Sequence, residues 1–191
     1  DFIFSRAFGA DAMQTAEYVK TVVTAMTKDH LGCVLKHFPG YGSNADTHTG
    51  SSVDERPYET FQAADFMAFQ AGIDAGAGAV MVCHSIVVSM DDKAPASMSA
   101  EVHRILREEL GFDGVVITDD INMQAVANYA GEQNAAVLAL LAGNDMIISP
   151  YFDEQIPAVV AAVEDGTISE ERVDESVRRI IEWKLALGIA E

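Results

Sequence analysis

The chain has 191 residues, 49% of them hydrophobic, with 12 Lys and Arg against 30 Asp and Glu for a formal charge of −18. This is enough apolar chain to bury one domain core and argues against disorder. The acidic balance repels nucleic-acid phosphates and anionic headgroups, so no nucleic-acid partner is expected. No apolar run reaches the ~20 residues of a membrane helix, and localisation, cytoplasmic or in the cell envelope, is left open.

In chain order, helical spacing over Ala10 to Thr27 leads into a β-branched run, CVLKH, at Cys33 to His37. A helix over Tyr58 to Ala75 precedes the run AVMVCH at Ala79 to His84, and a helix over Ala100 to Leu110 precedes VVITD at Val115 to Asp119. Next come a helix over Met123 to Leu141, the run DMIIS at Asp145 to Ser149, and closing helices over Glu154 to Glu164 and Glu170 to Leu187. Apolar residues at consecutive positions in the four short runs predict parallel strands covered on both faces. Ser99 and Ser169 stand where N-caps belong, Glu101, Glu170 and Glu171 fill first turns, and Gly111 and Gly188 follow last turns. Cys33 and Cys83 lie in apolar runs and read as buried thiols.

Alternating helices and strands imply βα units around a parallel sheet. Lys36-His37, His84-Ser85, Asp119-Asp120 and Ser149 all close strands, the rim where βα barrels and open α/β sheets both carry their sites. The Gly-rich GAGAV at Gly76 to Val80 enters a strand, whereas a dinucleotide fingerprint leaves one. The expected fold is α/β: the C-terminal half of an eight-stranded TIM-type barrel as a single domain over residues 1–191, its N-terminal strands missing; a small open-sheet domain is the alternative. Two open sheet edges invite self-association, and the 191 residues alone are expected to be inactive.

Three segments carry chemistry. Lys36 and His37 end a strand and enter a loop containing Pro39, Gly40 and Gly42; singly they also read as a solvated strand end and a capped core histidine. Asp46-Thr47-His48 places a carboxylate two residues from an imidazole, which it can orient and keep protonated near neutrality. Val115 to Asp120 runs a buried strand into two carboxylates; one can serve the following helix, and the other needs a task. His37, His48, His84 and Asp46 could also converge on a metal, but zinc-site spacing such as HExxH is absent, so no metal or cofactor is expected.

KHFPGYG, then DTH, then VITDDINM, in this order and at these separations, resemble the family 3 glycoside hydrolases, whose usual forms are KHFPGHG, a D-S-H loop and a strand ending in S/T-D-D or T-D-A. The likeness spans essentially the whole chain and points to the β-N-acetylglucosaminidase branch. It implies Asp119 as nucleophile and His48, backed by Asp46, as acid/base. It further implies substrate contacts from Lys36, His37 and Arg6, with His84 and Met123 as further candidates. Tyr41 stands for the second motif histidine and Thr47 for the usual serine, and an Asp that grips the sugar is expected on strands missing from this chain. The implied partner is an N-acetylglucosamine-containing oligosaccharide or muropeptide. Rival readings are a substrate-assisted hexosaminidase, a phosphorylase using the same covalent step, and a carbohydrate-binding or assembly module without turnover.

Overall fold

The computed structural model describes residues 4–9, 11–47 and 50–190. Helix α1 (Ala12–Lys28) leads into strand β1 (Val34–Phe38), and a short strand β2 (Val53–Asp54) follows the loop after it. Next come α2 (Tyr58–Thr60), a π-helical turn (Phe61–Asp65) and α3 (Phe66–Asp74), which together fill the span expected to be one helix. Strand β3 (Ala79–Val82), short strand β4 (Ile86–Val87), α4 (Ala100–Arg104) with a π-helical turn (Ile105–Glu109), and β5 (Val115–Asp120) continue the alternation. It closes with α5 (Gln124–Ala130), α6 (Ala135–Ala142), β6 (Met146–Ile148), α7 (Phe152–Glu164) and α8 (Glu170–Ala186).

The main sheet is parallel and open, in the order β1-β3-β5-β6, while β2 and β4 pair in a separate parallel ribbon. Continuous burial holds in the centre, where Val80, Val82, Val115 and Val116 are fully buried. It fails at the edges: β1 and β6 leave Val34, Met146 and Ile148 exposed at 37%, 37% and 39%. An edge strand lacks a hydrogen-bonded neighbour on one side, and its residues are correspondingly less covered.

Alternation across the central strands divides the core. Val80 and Val116 join the cluster under α1 and α3, with Phe38 stacked on Phe66 at 5.7 Å and edge-on to Phe69 at 5.1 Å. Burying Phe38 completely is worth roughly 1.5–3 kcal/mol. The adjacent residues Ala79, Val115 and Ile117 face the other way and pack against Ile180 and Trp183 of α8.

Ser99 and Ser169 cap as expected, accepting from Val102 N and Arg172 N at 3.3 and 3.2 Å. The helix expected over Met123 to Leu141 is two helices. Gly131 takes φ 58°, a left-handed conformation disfavoured for residues with a Cβ, and Asn134 then caps α6 by accepting from Ala136 N at 3.0 Å. Both cysteines are free and buried, and burial pushes the Cys83 thiol up to about 11.

Asp145, immediately before β6, has a side chain with no exposure. Its Oδ2 accepts from Arg107 at 2.7 Å and Val116 N at 2.9 Å, and its Oδ1 accepts from Ser176 at 2.9 Å and Arg179 at 3.0 Å. Arg172 approaches Oδ1 at 3.5 Å and donates to Asn144 O at 2.6 Å. Removing the charge would leave three guanidinium groups without their shared partner, so Asp145→Asn should lose about 3–5 kcal/mol. A free energy of urea unfolding within about 1 kcal/mol of the parent chain would show that the cluster does not hold the sheet.

Candidate active site

Parallel strands deliver their C-terminal ends to one rim. There the Asp119 side chain is 22% exposed, and its Oδ2 lies 3.7 Å from His37 Nε2, whose side chain is 8% exposed. Asp119 Oδ1 accepts from the Asp120 amide at 2.9 Å, which fixes the carboxylate against its own strand. The second carboxylate does separate work: Asp120 Oδ1 accepts from Asn122 N at 2.9 Å, closing the turn ahead of α5. The strand-end pair therefore splits into one turn-forming acid and one acid facing an imidazole.

Lys36 is exposed on β1, and Asp46 is half-buried in the loop that follows. Arg6 is exposed at the end of the 3-10 turn Phe4–Arg6 and forms no hydrogen bond or ion pair with another described residue. His48 lies outside the described residues. Among the described residues, no group of three His, Cys, Asp or Glu side chains could hold a metal ion.

Two further expected sugar contacts, His84 and Met123, are buried in the protein. His84 is 1% exposed, with Nε2 at 3.1 Å from Asp120 O and Nδ1 at 2.6 Å from Ser97 Oγ. A carbonyl only accepts, so Nε2 carries the proton; in the neutral ring Nδ1 then accepts from the Ser97 hydroxyl. Burial holds the imidazole below its ordinary pKa, against the opposing pull of Asp119. His84 thus supports the strand end from behind the rim. Met123 is buried at the N-cap position of α5 and presents no polar group.

The loop after β1 is seated by residues that carry no motif. Arg56 grips Asp54 through Nε and Nη2 at 3.0 and 2.8 Å and reaches Asp65 through Nη1 at 2.9 Å. Its guanidinium lies 4.2 Å from the centroid of Phe61 and donates to Gly40 O at 3.4 Å. Gly40 has φ 136°, and a Cβ there would overlap the Asp65 carboxylate. Hydrogen bonds from Arg56 and Asn44 hold the Asp54 carboxyl below the usual range despite burial, which acts the other way. The available signal was chemical: Arg56 is the sole arginine between Arg6 and Arg104, set among acids in a strongly acidic chain.

Acidic and imidazole groups gathered at the C-terminal ends of parallel strands give the layout shared by βα barrels and open α/β sheets. Over residues 1–183 the chain matches "Glycosyl hydrolase family 3 N terminal domain", and it belongs to glycosyl hydrolase family 3. A β-hexosaminidase from Xanthomonas campestris pv. campestris (strain B100) is 38% identical over 147 residues, covering 76% of this chain and 44% of that protein. The chain thus spans about half the length of the curated relatives it matches. A family 3 β-N-acetylglucosaminidase from Paenibacillus sp. str. FPU-7 superposes with a TM-score of 0.91 at 34% identity, over 98% of this chain and 37% of that one. A β-glucoside phosphorylase bound to 2FGlc superposes with a TM-score of 0.89 at 26% identity, over 96% and 35%.

The bonds of His84 set a stability test. His84→Phe strands the Ser97 hydroxyl and the Asp120 carbonyl and should lose on the order of 2–4 kcal/mol, whereas His84→Gln, which keeps an N–H donor, should lose less. Equal urea midpoints for the two variants would remove the support role.

Proposed function

We propose that the protein bearing this chain is a retaining β-N-acetylglucosaminidase that releases terminal β-linked N-acetylglucosamine from oligosaccharides of the muropeptide or chitin type. The carrying observation is the Asp119 carboxylate: partly exposed at the end of β5, tied at one oxygen and facing His37 with the other. Membership of family 3 and the printed names of the relatives support the same reading.

In the first step the Asp119 carboxylate attacks the anomeric carbon, the glycosidic C–O bond breaks, and His48 gives its proton to the departing oxygen. In the second, neutral His48 takes a proton from water as the water oxygen bonds the anomeric carbon, and Asp119 leaves as a carboxylate. Asp46 orients the imidazole and stabilises its charged form. A histidine in this role brings no second negative charge close to Asp119. Lys36, His37 and Arg6 are assigned to the sugar hydroxyls.

The similarity to a phosphorylase favours one variant, in which phosphate instead of water receives the sugar. A fluorinated, slowly turning-over N-acetylglucosaminide should leave a covalent adduct on Asp119, located by peptide mass spectrometry. An unlabelled Asp119 would overturn its assignment and favour attack by the substrate's own acetamido group. His48→Ala should depress turnover far more with sugar or alkyl leaving groups than with activated aryl ones, by about 10²-fold or more for the former; equal losses would remove His48 as the acid. Free sugar should be the product with or without phosphate, and a sugar 1-phosphate would assign the phosphorylase variant.

A further inference from the structure

Tyr41 sits between the two halves of the site. Its ring meets the His37 ring edge-on at 5.7 Å, and that imidazole in turn faces Asp119 at 3.7 Å. Its hydroxyl reaches the other half: Tyr41 Oη accepts from Thr47 N at 3.1 Å, donates to Ala45 O at 3.2 Å, and lies 3.1 Å from Thr47 Oγ1. A phenol has one proton. With that proton on Ala45 O, Thr47 Oγ1 must be the donor of the third bond, and all three bonds are satisfied together.

These bonds bracket Asp46. The residues before and after it are both tied to one oxygen, on a ring that is 7% exposed and belongs to the core. Thr47 is buried at 1%. Beneath, the Arg56 grip on Asp54 and Asp65 fixes the start of the loop at Gly40, so the loop is held at its base and again at the turn that presents Asp46. Tyr41 and Thr47 are also the two positions that depart from the usual motif forms, and they are hydrogen-bonded to each other.

We propose that Tyr41 is a positioning residue that holds the turn carrying Asp46 and Thr47 in register with Asp119, its ring supporting His37 and its hydroxyl setting the turn. The proposal rests on the acid/base assignment given above. Proton delivery depends on geometry at the scale of one hydrogen bond, and a misplacement of ~1 Å can cost about 10²-fold. Loss of the hydroxyl alone should therefore act on protonation of the leaving group, and loss of the ring on both halves.

The test compares Tyr41→Phe, Tyr41→Leu and Thr47→Val in the active protein, using N-acetylglucosaminides with alkyl and with activated aryl leaving groups. Tyr41→Phe and Thr47→Val are nearly isosteric, and urea midpoints taken in parallel report folding. Tyr41→Phe should lower kcat about tenfold or more with alkyl leaving groups and about threefold at most with aryl ones. Thr47→Val should follow the same pattern more weakly, and Tyr41→Leu should lower both substrates alike. Equal effects of Tyr41→Phe on the two substrates, or none, would overturn the proposal. His48→Ala separates the causes: if it remains selective for poor leaving groups while Tyr41→Phe is not, Tyr41 is wrongly placed and the acid/base reading stands. If His48→Ala shows no selectivity, that reading falls and takes the positioning role with it.

Discussion

One buried carboxylate organises the lower edge of this domain. Asp145 has three guanidinium groups, a hydroxyl and a backbone amide around it, drawn from α8, the turn after α4, and β5. Its own backbone amide donates to Val116 O at 2.7 Å, so the strand and its counterions are fixed by the same residue. A lone carboxylate with no exposure would be strongly disfavoured; here the opposing charges and five donors make departure from this geometry the costly option. Arg107 extends the tie by donating to Phe112 O and Gly114 O at 2.7 and 2.6 Å, which anchors the chain entering β5. The strand that carries Asp119 near its end is therefore held firmly where it begins.

That division has a functional sense. Fastening the N-terminal ends of parallel strands leaves the C-terminal ends free to carry polar groups, as the architecture of such folds requires. At that rim the roles are distributed with little redundancy. Asp120 closes a turn, His84 holds the Asp120 carbonyl from below with its proton on Nε2, and the Asp119 carboxylate is left facing His37. A second ionic cluster, Arg56 with Asp54 and Asp65, repeats the lower-edge solution on the loop that carries the DTH segment. In a chain of charge −18, buried or half-buried arginines are the means by which acids are brought inside without repulsion.

The order of the elements, the parallel character of the sheet and the identity of the rim were legible from residues alone. β-Branched runs, serine caps and terminal glycines are local signals, and a strand ending in two acids is visible without knowing what lies beside it. Local pattern is insufficient where it meets a tertiary choice. The apolar stretch through Ala130 and Ala135 is helical in period on both sides, so the pattern alone does not show that Gly131 ends one helix and Asn134 caps another. Short strands β2 and β4 have two residues each and owe their pairing to the surrounding loops, so no periodicity could announce them.

What the sequence determined by itself was the chemistry available: which acids and imidazoles close strands, and the motif set that resembles family 3. What only the tertiary structure decided was which of those groups face one another. His84 and Asp119 both end buried runs and look alike as text, yet the first has both ring nitrogens engaged by protein and the second presents an oxygen to His37. Tyr41 and Thr47 look like mild departures from a motif until their hydroxyls are found 3.1 Å apart. The reason is physical: hydrogen bonding and burial are properties of pairs and neighbourhoods, and a linear chain specifies its pairs only once it has folded.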